Sequence, residues 1–326
     1  MTSIGANAPS TLVADARRSM VPPPGALPEV LPTDRLNAKG LMRRPWRDDL
    51  RRIPNAGNVV TLAGAVAQTF GVVIAAGVSN TWWAWVLAFV WMGRGHALLN
   101  ILAHEAAHRL LFTNRAANDG IGRWVLGYPT LQPFGVYRRS HFAHHRDEMG
   151  PDEPDIELYR GYPVPRDSWH RKLRRDATGE SASKNVKALA VAARRGVPDA
   201  MQIVAVQLIL FGSSIALQRP IAYVVWIGSW STLWKVSNRL RAIAEHGGME
   251  RSPDRRRASH VIRQGPIARL MMVPYHTGWH LAHHVDMGVP WRNLPRFHAE
   301  LVASGWVTPA IVYPTYRAFW RTCSSG

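Results

Sequence analysis

The run from Val59 to Val78 holds twenty consecutive residues without a charge, and a helix of that length crosses the hydrocarbon of a bilayer. Lipid offers no hydrogen bonds, so such a segment must satisfy its own backbone, which a helix does. Three further apolar runs follow: Trp82 to Ala103, interrupted by Arg94 and His96; Ala200 to Gln218; and Ile221 to Trp234. Together they predict four spans, at about 59–78, 82–103, 200–218 and 221–235, in two hairpins. Arg43, Arg44, Arg47, Arg51 and Arg52 precede the first run, Arg109 and Arg115 follow the second, Arg194 and Arg195 precede the third, and Arg239 and Arg241 follow the fourth. The positive-inside rule therefore places both termini in the cytosol. A mean hydropathy of -0.14 is too low for a chain buried wholly in lipid. The expected fold is an all-α integral membrane protein, four transmembrane helices with a cytosolic helical cap, in a bacterial inner membrane or an endoplasmic reticulum.

Three histidine clusters follow the ends of these runs: His104-Glu105-Ala106-Ala107-His108, His141-Phe142-Ala143-His144-His145 and His280-Leu281-Ala282-His283-His284. Residues three and four apart share a helix face, so each cluster resembles one wall of a metal cage. Imidazole binds first-row metals well, and eight such residues exceed what one structural zinc requires. More than one metal ion is expected. The only cysteine is Cys323, which excludes thiolate zinc sites and iron–sulfur clusters built by this chain and leaves nitrogen and oxygen as donors.

The formal net charge is +18, yet no aromatic and basic recognition module accompanies it, so nucleic acid is not expected as a partner. Anionic headgroups or an acidic redox partner suit the charge better. Residues 1–55 contain Pro22-Pro23-Pro24 and little periodicity and read as a disordered or surface-lying basic arm without a signal peptide. Residues 166–195 are strongly basic and read as a helix lying under headgroups or solvated.

From about residue 56 to residue 326 the chain resembles the membrane-bound fatty acid desaturase and hydroxylase superfamily. The resemblance rests on the three histidine boxes, the paired spans between them, Asp152-Glu153-Pro154-Asp155, Glu245-His246-Gly247, Pro274-Tyr275-His276 and the segment from Asn293 to His298. It implies a di-iron site with ligands His104, His108, His141, His144, His145, His246, His280, His283 and His284. It also implies two non-haem irons, O2 as co-substrate, a membrane acyl or lipid substrate, and a separate electron donor of ferredoxin, rubredoxin or cytochrome b5 type. The three residues inside the first box resemble acyl-lipid and sphingolipid enzymes more than acyl-CoA desaturases, some of which carry Asn where this chain has Ala242. His280 departs from the Gln common in front-end desaturases, and no cytochrome b5-like segment is fused to the chain. Desaturation is the first expectation; hydroxylation or ketolation of a fatty, sphingoid or carotenoid chain could use the same ligands.

The first box also matches the His-Glu-x-x-His pattern of zinc peptidases, with Glu105 as general base. That reading leaves the other clusters without a task. A metal transporter would hold its ligands near the midplane, and these clusters follow span ends. His276 is a possible tenth ligand or hydrogen-bond donor. Glu105, Asp155, Glu245 and Asp286 are candidates to accept the second ring N–H of ligand histidines. Arg94 is expected to snorkel, His170, His260 and His298 to be structural or on the surface, and the Trp82 and Trp226 groups to form an interfacial belt or packing.

Overall fold

The computed structural model describes residues 19–326, and helices dominate it. Helix α1 (Asn55–Ser79) and helix α2 (Trp82–Ala107) form the first hairpin. Asn80 joins them in the left-handed conformation (φ 47°), its N–H closing on the Ala76 carbonyl; asparagine is among the few residues that tolerate this cap. Helix α2 is apolar on every side, and its second half, including Met92, Leu98, Leu99 and Leu102, is buried. A helix apolar all round belongs inside a bundle. It continues past residue 103 because His104 to Ala107 carry no helix breaker, and this continuation holds the first histidine box on a rigid rod.

Helix α3 (Phe134–Arg146) carries the second box. Helix α4 (Pro198–Ala216) and helix α5 (Pro220–Ser229) form the second hairpin, turned by Gln218 at φ 55° and started by a proline whose missing N–H costs nothing at a helix N-terminus. The rod does not stop there. It passes through a π-helical turn, Trp230–Trp234, into helix α6 (Lys235–His246), which ends on His246. Helix α7 (His280–Val285) carries the third box. By length and composition, three helices among the described residues can cross a membrane: those ending at Ser79, Ala107 and Ala216. The fourth expected span forms the first half of the α5 to α6 rod, and hydropathy alone does not mark where lipid would end along it.

Two expectations need correction. A short parallel ladder, Val261 with Val312 and Ile262 with Tyr313, interrupts the all-α pattern. More consequentially, residues 19–55 are not a disordered arm; residues 1–18 of that expectation lie outside the described residues. Leu36, Met42 and Leu50 are buried in one cluster with Leu281, Trp291, Phe297, Leu301 and Trp306. Gly40 has φ 74°, and a Cβ there would stand 3.0 Å from the Trp306 indole, so only glycine fits this turn without strain. Helical periodicity is weak here because these side chains sit on an irregular segment with one short helix, Trp46–Leu50, that packs against the C-terminal region. Leu50→Ala is expected to destabilise the protein by about 2–5 kcal/mol, the cost of a buried leucine. Denaturant or thermal unfolding checks this, since a solvated arm would give no change.

The basic stretch 166–195 forms two helices, Arg166–Ala177 and Glu180–Arg194. The first buries Trp169 and Asp176, and Asp176 pairs with Arg239 of α6, so this stretch is packed onto the rod rather than solvated throughout.

Candidate metal centre

Four helices bring the histidines together: α2 presents His104 and His108 at its end, α3 presents His141, His144 and His145, α6 ends on His246, and α7 supplies His280, His283 and His284. The ring nitrogens fall into two groups, His104, His108, His141, His145 and His283, and His144, His246, His280 and His284, each with its ligand atoms within 4.8 Å of one another. Neighbouring residues thus serve different groups, because a step of one along a helix turns the side chain by about 100°.

In the five-histidine group, His141 Nε2 lies 2.8 Å from His108 Nε2 and 3.1 Å from His145 Nε2, which lies 3.1 Å from His283 Nε2. In the four-histidine group, His246 Nε2 is 2.8 Å from His280 Nε2, and His144 Nε2 is 3.2 Å from His284 Nε2. Nitrogens about 2.0–2.1 Å from one ion at right or tetrahedral angles would lie about 2.8–3.4 Å apart. The observed edges fit that range closely. Burial and the surrounding imidazoles hold His141, His280, His283 and His284 well below the usual histidine range, and burial brings His108 down to about 3. Neutral imidazole is the form that binds metal.

The carboxylates around the groups are not those the sequence pointed to. Glu148, 3% exposed, lies 3.2 Å from His246 Nδ1 and 3.1 Å from His284 Nδ1 and also binds Arg255 and Ser259 Oγ. Glu153, also buried, binds His144 Nδ1, with Tyr159 Oη 3.2 Å from the same nitrogen. His246 Nδ1 additionally donates to the Ala258 carbonyl at 2.8 Å. The Glu153 and Ala258 acceptors place the proton on Nδ1 of His144 and His246 and leave Nε2 with its lone pair toward the group centre; His284 Nδ1 lies near Glu148 without a hydrogen bond to it. Burial works to lower the basicity of His246, but Glu148 overrides it and the net shift is upward. Both acids follow the second box within the run from Asp147 to Asp155, where several acids compete and spacing singles out none.

Of the four acids expected in this role, Glu245 comes nearest, 3.6 Å from His280 Nδ1 and 3.5 Å from Arg241 Nε. Glu105 is 3.8 Å from His104 Nδ1 and accepts instead from the Trp291 N–H at 3.4 Å. Asp286 pairs with Arg51 at 2.6 Å and accepts from the Gly288 N–H, so it anchors the N-terminal segment rather than a ligand. Asp155 makes no side-chain hydrogen bond to a histidine and lines the cavity beside His144. His276 is in neither group; Tyr275 and His276 both have positive φ, which breaks the helical phase that would have aligned it with His280. Its ring lies 6.0 Å from that of Trp291.

The remaining histidines are structural or exposed. His96 Nε2 meets the Trp226 carbonyl at 3.0 Å and ties α2 to α5, His260 meets the Gly247 carbonyl, and His298 stacks on Trp279; His170 is exposed. Arg94 is fixed by the Leu270 carbonyl and Gln68 rather than snorkelling freely. Trp82 and Trp83 are exposed, as a belt requires, whereas Trp230 and Trp234 line the cavity that faces the metal groups.

Comparison with known proteins adds two findings. The fatty acid desaturase family model matches residues 80–319. Dihydrorhizobitoxine desaturase of Bradyrhizobium elkanii is 32% identical over 96 residues, a stretch that covers 28% of this chain and 27% of that protein.

Proposed function

The chain belongs to the fatty acid desaturase family, and from that premise we propose that it is an O2-dependent membrane oxidoreductase that desaturates an aliphatic chain at two iron ions. The carrying observation is the pair of convergent imidazole groups, all nitrogen, all on one end of the helical rods. The five-histidine group would hold one iron and the four-histidine group the other. An unactivated methylene offers neither an acidic proton nor an electrophilic carbon, so the bound irons would supply the oxidising power: O2, two methylene hydrogens, and two electrons with two protons from a separate one-electron donor become two waters and a carbon–carbon double bond.

The chain's own residues do the rest. α2, α3, α6 and α7 hold the imidazoles at fixed edges, and Glu148 and Glu153 keep the Nε2 lone pairs directed inward. The cavity beside the groups brings the substrate chain against them and limits water. The peptidase reading is disfavoured, because Glu105 faces the Trp291 N–H and His104 and His108 sit among three further imidazoles. The Arg-rich ends and the apolar helices support a multi-pass membrane protein with the metal groups on the cytosolic side.

Metal analysis and product profiling test the reading. Purified protein is expected to carry about two irons per chain, and cells producing it are expected to gain a double bond in one aliphatic metabolite, lost in His144→Ala. One zinc without iron would overturn the proposal; a new hydroxyl or ketone in place of the double bond would move it to the hydroxylase and ketolase branch.

A further inference from the structure

The cavity that opens onto the histidines has a volume of about 560 Å³. One side is formed by His104, His141, His144, His246, His280 and His283. The lining also includes Trp230, Trp234, Lys235, Asn238 and Arg239 along the rod that leads to His246, with Asn185 from the neighbouring helix. Lys235, Asn238, Ala242 and His246 follow one another at three- and four-residue steps, so α6 presents them on one face, with Arg239 at its edge. The π-helical turn just before Lys235 sets the phase of that face. Along α6, Lys235 and His246 are separated by about 16 Å.

Charge in this wall is unevenly compensated. Asp176 is buried and already engaged by Arg239 and Ser181, and Arg241 has Glu245 at 3.5 Å. Lys235 is partly buried with its ammonium 4.3 Å over the Trp230 ring. Among the described residues it has neither a carboxylate within 4.0 Å nor a hydrogen-bond acceptor. Sequestering an ammonium without a counter-charge is unfavourable, and a sheath built only for a long hydrocarbon tail would have no use for it. The metal side of the cavity carries carboxylates instead, Asp155 beside His144 and Glu245 beside His280. Lys235 therefore offers an anionic head a positive charge at the end of the cavity away from the histidines.

We propose that this cavity, resting on the function proposed above, takes a single-chain aliphatic carboxylate whose head binds Lys235, flanked by the Asn185 and Asn238 amides, and whose methylenes reach the histidine groups. The span of about 16 Å corresponds to on the order of a dozen bonds, at the roughly 1.2 Å per bond of an extended chain. A two-tailed phospholipid, with its head in the interface and an uncharged ester at this depth, would leave Lys235 uncompensated.

Isothermal titration of the iron-loaded full chain in detergent, with decanoate, methyl decanoate and decan-1-ol as probes, tests this. Decanoate is expected to bind at least about tenfold more tightly than the ester or alcohol, one charge-assisted contact's worth. Lys235→Met is expected to reduce that preference to about twofold or less, and Lys235→Arg to retain it. Should Lys235→Met fail to fold, Asn238→Leu, which keeps the charge and removes an amide, is expected to weaken decanoate and spare the alcohol. Equal binding of acid and ester by the intact chain overturns the inference, as does an acid preference that survives Lys235→Met, since the carboxylate would then be binding the metal. Binding needs no turnover, so the two proposals fail separately. Protein that discriminates decanoate but holds no iron sinks only the proposed reaction. Iron-loaded protein that desaturates phosphatidylcholine vesicles regardless of residue 235 sinks only the carboxylate.

Discussion

His283→Ala is expected to empty the five-histidine group while leaving the four-histidine group loaded, and His284→Ala is expected to do the reverse. The two side chains are adjacent in sequence, yet His283 Nε2 stands 3.1 Å from His145 Nε2 and His284 Nε2 stands 3.2 Å from His144 Nε2. Each variant should fall from about two irons to about one, and turnover should drop by well over 100-fold, more than the loss of an outer hydrogen bond brings about. Iron stoichiometry with Mössbauer or EPR spectra distinguishes which ion is lost. If both variants lost both irons with the fold intact, the groups would be one cooperative site and the division into five and four would be wrong.

Glu148→Gln is expected to weaken metal binding at the four-histidine group by about 10–100-fold and to leave the five-histidine group nearly unchanged. The glutamine has the shape of the glutamate, but it removes the negative charge beside His246 and His284 Nδ1 and can bring an N–H toward Nδ1 of His246, which carries its own proton, so it lowers the basicity of His246. The five-histidine group has no carboxylate as close to its Nδ1 atoms: the nearest, Glu105, is 3.8 Å from His104 Nδ1, whereas Glu148 stands 3.2 Å from His246 Nδ1 and 3.1 Å from His284 Nδ1. Chelator competition followed by metal analysis reads the two affinities separately. Glu105→Gln serves as comparator and is expected to shift either affinity by only a few-fold, since that carboxylate faces the Trp291 N–H. Equal weakening of both groups by Glu148→Gln would show that the carboxylate supports the fold at large rather than one ion.

Much of this could be read before any coordinates, for identifiable reasons. Helical spacing put His280, His283 and His284 on one side of a short segment, and hydropathy marked the helices ending at Ser79, Ala107 and Ala216. His246 carried a weaker signal, a single histidine eleven residues beyond the predicted fourth span, and only the family resemblance raised it above background. Glu148 and Glu153 could not be chosen among the acids after the second box, because their orientation depends on the turn from Asp147 to Asp155 meeting His246 and His284 across the fold. Asp286 looked eligible by proximity in sequence, but it faces Arg51, a contact between residues 235 apart in the chain.

The same division runs through the protein. Periodicity and donor chemistry are local properties, so the sequence by itself determined that long apolar helices lead into histidine walls and that any bound metal must be held by nitrogen and oxygen. Which histidine joins which group, which carboxylate orients them, that residues 19–55 pack under the third box, and that Lys235 lines one cavity with histidines of four helices are long-range matters. They depend on where separate rods end and how they are rotated against one another, and a shift of one residue along any of the four helices would turn its side chains by about 100° and reassign them all. Only the tertiary structure decides that phase.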